Sequence, residues 1–287
     1  MSEKKKKQTK LIDGKKMAQK IEKELQQEIA GFSEQPTMAV VLVGDNPASL
    51  IYVNHKKKAA EKVGIKADIY HLSPVMTQDA LISFIHELNQ NPTVNGIIVQ
   101  LPLPKHFSED EVLDAIHPDK DIDGLNPLNL GNLFVGRPNM VPCTPLACMM
   151  LLKSVCSNLI GKNVVVVGRS RLVGKPVVQL LLNEQCTVTQ AHSRTKNLAK
   201  LCQTADIIVS ATGHANLIRK TYIKEGAILI DVGIIRQADK KIVGDVAFDE
   251  VLGKAKAVTP VPGGVGPMTV AMLLHNVVKA YKIQKNV

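Results

Sequence analysis

Tyr52 and Lys56 are the first residues whose types and spacing could do chemistry, because they stand four positions apart in a segment predicted to be helical after Pro47. Two residues at that spacing share one face of a helix. A lysine that is partly removed from water has a lowered pKa, so it can donate or accept a proton near neutral pH. The run Lys56-Lys57-Lys58 is also typical of a solvated charged face, and the sequence leaves both interpretations open.

An acidic loop supplies the second candidate, Asp123. Residues 119–124 have the pattern D-x-D-x-D-G, which begins like a calcium loop. The last ligand of such a loop should be glutamate, but Leu130 stands there, so we expect no metal site. A carboxylate in this loop could instead accept paired hydrogen bonds from an amino-pyrimidine ring. A plain surface turn explains the pattern equally well.

A glycine turn follows the four-valine strand at 163–167. Gly168, Arg169 and Ser170 open the turn, and Gly174 lies at the start of the helix predicted over 173–183. Backbone N–H groups and the helix dipole at such a turn favour a pyrophosphate. The spacing G-x-S-x-x-x-G differs from G-x-G-x-x-G, so any strand-to-helix turn of an α/β sheet remains an alternative.

The end of the next strand indicates which dinucleotide would bind. NAD sites usually place a carboxylate here for the ribose hydroxyls, whereas NADP sites use arginine and hydroxyl groups for the 2′-phosphate. Residues 190–195 contain Ser193 and no carboxylate, and Arg169 and Arg171 lie in the preceding turn. The sequence therefore favours NADP.

A rigid loop rich in glycine and proline precedes the last predicted helix. Pro262, Gly263 and Gly264 lie within it, at residues 259–269. Small and fixed residues of this kind allow the backbone to approach a planar ligand closely.

These candidates require an alternating α/β framework to position them. Apolar periodicity predicts this alternation in both halves of the chain. We therefore expect an N-terminal catalytic domain at 1–143 and a Rossmann-like NADP domain at 144–268, around a cleft, with the terminal helix at 269–287 packing back on the first domain. The predicted strands are 38–43, 67–72, 96–100, 163–167, 187–191, 207–210, 227–232 and 257–258, and the predicted helices are 11–29, 48–63, 79–88, 173–183, 198–203 and 269–283.

Composition excludes several other classes of protein. The 287 residues are 45% hydrophobic and 22% charged, as in an ordinary globular chain, and carry a formal charge of +10 that suits an anionic ligand. Part of this charge lies in a basic run, Lys4 to Lys7 with Lys10, which we expect to be a solvated arm. No signal peptide or membrane span is predicted. The five cysteines form no C-x-x-C pair, which favours a reducing cytoplasm.

Taken together, the motifs resemble the bifunctional methylenetetrahydrofolate dehydrogenase/methenyltetrahydrofolate cyclohydrolase family, from about Leu11 to the end of the chain. Ala147, where the family usually has glycine, and Ile235-Arg236 depart from its pattern. The segments that carry the resemblance are Tyr52 to Ala59, Val99 to Pro102, Asp119 to Gly124, Pro142 to Pro145, Gly168 to Ser170, Asp231 to Ile234 and Pro262 to Thr269.

The resemblance implies a role for each candidate. The tyrosine matching Tyr52 stacks on the folate, the lysine matching Lys56 handles protons in the hydrolysis, and the glutamine matching Gln100 holds that lysine. The aspartate matching Asp123 holds the pterin ring. The remaining expected contacts are Val99, Leu101, Pro262, Gly263 and Gly264 for the folate, and Gly168, Arg169, Ser170, Ser193 and Ile234 for NADP.

The implied reactions are oxidation of 5,10-methylenetetrahydrofolate by NADP and hydrolysis of the methenyl product to 10-formyltetrahydrofolate. The implied assembly is a homodimer that binds neither nucleic acid nor membrane. Another Rossmann-type NADP dehydrogenase, acting on shikimate or an amino acid, would keep the Gly168 turn but lack Tyr52, Lys56, Gln100 and Asp123. A basic nucleic-acid-binding protein would explain the charge, but it would need aromatic residues, which make up only 3% of the chain.

Overall fold

The computed structural model describes residues 8–286, which form two compact units. The N-terminal unit comprises residues 19–143 and 270–286, and the C-terminal unit comprises residues 8–18 and 144–269. Lys4 to Lys7, predicted to be a solvated arm, lie outside the described residues.

Strands and helices alternate through most of both units, as the apolar periodicity predicts, but three helices that were not predicted follow one another between residues 109 and 153. A single turn of 3₁₀ helix occupies Lys220–Tyr222. The strands are β1 (Lys10–Leu11), β2 (Thr37–Val43), β3 (Lys66–Leu72), β4 (Gly96–Val99), β5 (Asn163–Val167), β6 (Thr187–Ala191), β7 (Ile207–Ser210), β8 (Ile228–Asp231), β9 (Ile235–Arg236), β10 (Ile242–Val243) and β11 (Ala257–Val258). The α-helices are α1 (Gly14–Ile29), α2 (Pro47–Val63), α3 (Gln78–Gln90), α4 (Glu109–Asp114), α5 (Pro127–Phe134), α6 (Cys143–Lys153), α7 (Gly174–Asn183), α8 (Leu198–Cys202), α9 (Phe248–Val251) and α10 (Val265–Lys285).

The N-terminal unit is built on a parallel sheet with the strand order β3-β2-β4. All seven residues of β2 are buried, as expected for a central parallel strand covered on both faces. Val41 and Val43 of β2 pack with residues of α3 and β4, including Leu81, Ile85 and Ile97, in one apolar core.

Capping residues in the sequence determine where helix α2 begins and ends. The side chain of Asn46 accepts hydrogen bonds from the N–H groups of Ala48 and Ser49, and Pro47 occupies the first turn, where its missing N–H costs nothing. Gly64, directly after the predicted end of the helix at residue 63, ends it in the left-handed conformation, at φ +93°.

The C-terminal unit contains a six-stranded parallel sheet in the order β1-β11-β8-β7-β5-β6. Its core lies between this sheet and the helices, and includes Val165, Ile208 and Leu229. Strands β9 and β10 form a separate antiparallel pair after β8. Arg236 is exposed on this pair.

The first described residues differ from the prediction. We expected one helix over 11–29 in the N-terminal domain, but Lys10 and Leu11 pair with Ala257 and Val258 of β11, and α1 begins only at Gly14. This pairing joins segments that are far apart in sequence, so local periodicity carries no sign of it. Residues 8–18 therefore lie in the C-terminal unit.

The terminal helix is longer than expected and packs on the first domain, as predicted. It begins at Val265 rather than 269, because Pro267 fits the first turn of a helix. Beyond Val270 it belongs to the N-terminal unit, where Tyr281 stacks on Phe32 with ring centroids 4.7 Å apart, and Lys282 pairs with Glu28. Among the described residues, no helix is long and apolar enough to cross a membrane.

Gly96→Ala tests the tight contact between β4 and the acidic loop. A Cβ at this position would lie 2.3 Å from Cγ2 of buried Ile122, so we expect a loss of about 1–3 kcal/mol in the free energy of unfolding. Gly31→Ala is the control, because its Cβ would meet its nearest neighbour at 3.5 Å and should change stability by less than about 0.5 kcal/mol. Urea titration followed by circular dichroism measures both, and equal stabilities would contradict the assigned contact.

Candidate active site

Two adjacent strands of the N-terminal sheet bring Lys56 and Gln100 together. Gln100 directly follows β4, and its backbone N–H donates to the carbonyl of Val41 in β2 at 2.8 Å. Lys56 lies on α2, the helix that follows β2. Because β2 and β4 are parallel neighbours, their carboxyl ends meet at one edge of the sheet, where α/β proteins usually place ligand sites.

A hydrogen bond joins the two side chains. Lys56 Nζ donates to Gln100 Oε1 at 3.0 Å. Gln100 Nε2 donates to the carbonyl of Leu101 at 2.6 Å, which turns the amide so that its oxygen faces the lysine. Gln100 is buried and Lys56 is half-buried. The resemblance implies that Gln100 holds Lys56, and the structure contains a contact between the two side chains.

Burial is the main cause of a shift in the pKa of Lys56. Removal from water lowers the pKa of Lys56 below its ordinary value, and the negative charge of Asp123 opposes that shift. Lys56, Gln100 and Asp123 therefore form one electrostatic cluster in the N-terminal unit. A lysine in this setting can exchange a proton more readily than one in water.

The acidic loop is fixed by a second carboxylate, Asp121, which is buried. It accepts hydrogen bonds from Gly124 N at 3.0 Å, Asn126 N at 2.7 Å and Asn129 Nδ2 at 2.9 Å. Burial nevertheless raises the pKa of Asp121, since desolvation outweighs these bonds. The D-x-D-x-D-G pattern thus describes a folded turn in which Asp121 is structural and Asp123 is left half-buried.

Tyr52, one turn before Lys56 on α2, is 51% exposed, so its ring is available to a planar ligand. Val99 is buried in the core, so its side chain is not accessible to a ligand. Leu101 is half-buried beside Gln100. These three positions border the Lys56 cluster along the chain.

The glycine turn of the C-terminal unit has little space for side chains. Gly168 has φ +132°, and a Cβ there would lie 2.4 Å from the carbonyl oxygen of Ala211. A Cβ on Gly174 would lie 2.4 Å from the carbonyl oxygen of Gly168. Both glycines are needed to bring the start of α7 against the end of β5.

Ser170 closes this turn with its side chain. Its Oγ accepts hydrogen bonds from Val173 N at 3.2 Å and Gly174 N at 3.3 Å, so it caps the first turn of α7. The hydroxyl proton can still be donated to an anion at the positive end of the helix.

A second turn lies beside the first, after β6. Gly168 N donates to the carbonyl of Ala191 at 2.9 Å, which joins the two strand ends. Thr195 Oγ1 accepts from His192 N at 2.9 Å and closes a turn that exposes Ser193 and Arg194. With exposed Arg169, this donor set fits a phosphate on a ribose better than it fits a free hydroxyl.

Ile234 lies in a turn that two buried carboxylates support. Asp231 accepts from Gly233 N and Asp245 N, both at 2.9 Å, and from Val246 N at 2.8 Å. Burial, together with the nearby charge of Asp245, raises the pKa of Asp231 to about 7. Ile234 itself is 56% exposed, at the carboxyl end of β8.

The glycine-rich loop packs against the start of α1 in the same unit. Lys15 N donates to the carbonyl of Gly263 at 3.1 Å, and a Cβ on Gly14 would lie 1.8 Å from the carbonyl oxygen of Gly264. Pro262 is exposed. Gly263 and Gly264 therefore pack against the start of α1, independently of any contact with a ligand.

Two residues near Asp123 were given no role by the sequence analysis. Cys143 is buried, and its Sγ donates to the carbonyl of Ile122 at 3.2 Å. Asn276 of α10 is 1% exposed and donates to the same carbonyl at 2.9 Å. Cys143 lies in one of the quoted motifs, but nothing in the local sequence singles out Asn276.

The arrangement supplies a lysine of lowered pKa, a carboxylate and an exposed aromatic ring in one unit, and a glycine turn at the start of a helix in the other. In residues 8–286, no group of three or more histidine, cysteine, aspartate or glutamate side chains could hold a metal ion.

Comparison with known proteins places both units in one family. Residues 12–123 match the catalytic-domain model of tetrahydrofolate dehydrogenase/cyclohydrolase, and residues 142–285 match its NAD(P)-binding-domain model. A bifunctional protein FolD of Listeria innocua is 53% identical over 275 residues, which cover 95% of this chain and 97% of that protein.

Solved structures agree with this match. The bifunctional FolD dehydrogenase/cyclohydrolase of Campylobacter jejuni superposes with a TM-score of 0.94 at 47% identity, covering 97% of this chain and 99% of that one. The Trypanosoma brucei dehydrogenase-cyclohydrolase, solved with NADP and an inhibitor, superposes with a TM-score of 0.92 at 39% identity, covering 98% and 99%.

The lowered pKa of Lys56 predicts a measurable effect on stability. Below its folded-state pKa, the folded protein buries a charge that the unfolded chain leaves in water, so Lys56→Met should be more stable than the wild type at pH 7. As the pH rises through the folded pKa towards 10.5, the folded lysine loses its proton first and the advantage of the variant should shrink.

Urea titrations at pH 7 and pH 10 measure this difference. Lys58→Met is the matched control, because Lys58 is exposed on the same helix. A Lys56→Met variant that is less stable than the wild type at pH 7 would contradict the cost assigned to the buried charge.

Proposed function

The chain belongs to the tetrahydrofolate dehydrogenase/cyclohydrolase family, and from this premise we propose how its own residues share the two reactions. It is a bifunctional enzyme of folate one-carbon metabolism. It oxidises 5,10-methylenetetrahydrofolate to the 5,10-methenyl form with NADP, and hydrolyses that product to 10-formyltetrahydrofolate. This family membership sets aside the alternatives of a shikimate or amino-acid dehydrogenase and of a nucleic-acid-binding protein.

NADP, when bound, accepts the hydride from the one-carbon bridge. The chain's contribution to that step is positioning, since hydride transfer needs little proton chemistry from side chains. We assign the pyrophosphate to the Gly168 turn and the start of α7, with the Ser170 hydroxyl as a donor. We assign the 2′-phosphate to Arg169 and Ser193, and a contact near the reactive ring to Ile234.

Hydrolysis of the methenyl compound needs proton transfer, and we assign this step to Lys56. In its neutral form the amine takes a proton from the water that attacks the methenyl carbon, and in its charged form it returns a proton to the departing ring nitrogen. Gln100 Oε1 holds the amine in place in both states, since it accepts a hydrogen bond from either form. Asp123 favours the charged form, so it keeps the proton on Lys56 after the attack.

Asp123 and Tyr52 have the second task of holding the folate. The carboxylate of Asp123 offers two acceptor oxygens to the amino-pyrimidine edge of the pterin, and the exposed ring of Tyr52 offers a stacking face. Val99 and Leu101 supply main-chain and apolar contacts beside Gln100. The contribution of Pro262, Gly263 and Gly264 to the folate site stays a prediction.

We also propose a homodimer located in the cytoplasm. Strand β6 is an edge strand of the six-stranded sheet, and an unpaired edge can pair with a second copy of itself. The five cysteines, all within the described residues, are free thiols, as in a reducing compartment. Sedimentation velocity at micromolar concentration tests the dimer, and a purely monomeric boundary would exclude it.

The observation that carries the assignment is the half-buried Lys56 bonded to Gln100 beside Asp123. Lys56→Met keeps an unbranched side chain of similar bulk but has no proton to exchange. We expect it to lower the hydrolysis rate by at least about 10²-fold while oxidation with NADP continues, so that the methenyl intermediate accumulates. Absorbance of NADPH and of the methenyl compound, followed separately, distinguishes the two steps.

Lys58→Met should retain both activities, because the side chain of Lys58 is exposed to solvent on the same helix. Hydrolysis by Lys56→Met at the wild-type rate would remove Lys56 from the mechanism. A wild-type enzyme that oxidises no methylenetetrahydrofolate would contradict the function as a whole.

Cofactor choice gives an independent prediction. The 2′-phosphate adds charge-assisted hydrogen bonds to Arg169 and Ser193, so NADP should be preferred to NAD by at least about tenfold in kcat/KM. Arg169→Ala should reduce that preference, as should high salt. Arg219→Ala is the control, because it removes one exposed positive charge from the same unit. Equal kcat/KM for the two cofactors in the wild type would exclude this phosphate site.

A further inference from the structure

A buried amide on the terminal helix holds the segments on both sides of the Asp123 site. Asn276 Nδ2 donates to the carbonyl of Ile122 and to the carbonyl of Val141, each at 2.9 Å. An amide nitrogen carries two protons, and these two bonds are its shortest, since its third hydrogen bond, to Cys143 Sγ, is 3.6 Å long. Ile122 directly precedes Asp123, and Val141 lies two residues before Cys143.

The Cys143 thiol is the third member of this arrangement. Its Sγ lies 3.2 Å from the Ile122 carbonyl oxygen and 3.6 Å from Asn276 Nδ2. The same thiol hydrogen-bonds to the side chain of Asp123, and burial raises its pKa well above the ordinary value, so it remains a thiol. A thiol has one proton, which cannot fully serve both the Ile122 carbonyl and the Asp123 carboxylate.

Asn276 removes the competition between the Ile122 carbonyl and the Asp123 carboxylate for the thiol proton. Because its amide already satisfies the Ile122 carbonyl, the S–H proton of Cys143 is available to Asp123. The backbone packing leaves the loop little freedom to move otherwise, since a Cβ on Gly124 would lie 2.5 Å from the carbonyl carbon of Val141. On its other side the loop is held by the bonds of Gly124 and Asn126 to Asp121.

We infer that Asn276 is a positioning residue, which fixes the carboxylate of Asp123 for the pterin through the Ile122 carbonyl and the Cys143 thiol. An apolar side chain of the same shape would take away the donor that the carbonyls of Ile122 and Val141 share, so the amide's specific contribution is to join and orient the two segments. The inference rests on the proposed function, because it concerns how Asp123 binds the folate.

Asn276→Leu tests the inference, since leucine has a similar shape and no donor. We expect the KM for the folate to rise about tenfold in both reactions, because a small displacement of the carboxylate weakens binding of the pterin. The KM for NADP should not change, since the residues assigned to NADP lie in the other unit. A merely structural role would lower the melting temperature and the active fraction, and would leave the folate KM of the remaining enzyme unaltered.

Asn89→Leu is the matched control. Asn89 is half-buried in the same unit, donates to the Ala115 carbonyl at 2.8 Å and accepts from His117 N at 2.9 Å, with no bond to the Asp123 loop. Asn89→Leu should be less stable than the wild type but should have the same KM for the folate. An unchanged folate KM in Asn276→Leu overturns the inference while leaving the function intact, whereas a wild type without turnover overturns the function itself.

Cys143→Ala supplies a second test that does not depend on the folding of Asn276→Leu. It removes the thiol that bonds Asp123, so the folate KM should again rise with the KM for NADP unchanged. Cys148→Ala makes the same change at a buried cysteine of the C-terminal unit and should leave the folate KM unaltered. A folate KM that is the same in Cys143→Ala and Cys148→Ala would also overturn the inference.

Discussion

The hydrogen bond from Lys56 to Gln100 is the interaction on which the proposed hydrolytic site depends. A lysine amine that is removed from water has a lowered pKa. Without a hydrogen-bond partner in the protein, it would either turn back into solvent or remain neutral. The amide oxygen of Gln100 gives it a fixed acceptor, and Asp123 gives it a nearby negative charge. Burial and charge therefore oppose each other at one nitrogen, which is the condition under which a lysine can both take up and release a proton.

Both units use the carboxyl ends of parallel strands to build their sites. In the N-terminal unit, β2 and β4 end beside each other and deliver α2 and Gln100 to one edge. In the C-terminal unit, β5 and β6 end in the turns that carry Arg169 and Ser193. The glycines of these turns are required because backbone, rather than side chains, occupies the space around them, as at Gly168 and Gly174.

Much of the fold could be predicted from the sequence, because periodic apolar segments and the glycines that end strands and helices leave local signals. The strand before Gly168 and the cap of α2 at Gly64 are of this kind. The pairing of β1 with β11 and the β9–β10 pair have no such signal, since two-residue strands are too short for periodicity. Lys56 could be separated from its charged neighbours only by resemblance, because its partner Gln100 lies 44 residues away in sequence. Asn276 is further still from Ile122, at 154 residues, and its role follows from the fold alone.

The central claim, that Lys56 is a lysine whose pKa is set by burial against the charge of Asp123, can be tested most directly by titrating its side chain. In protein labelled with ¹³C at lysine Cε, the resonance that disappears in Lys56→Met identifies Lys56 even though burial also lowers the pKa of Lys120 and Lys279. We predict that this resonance titrates below 10.5 in the wild type, and lower again in Asp123→Asn, because the opposing charge is gone. A Lys56 resonance that titrates at or above 10.5, or that does not respond to Asp123→Asn, would contradict the account.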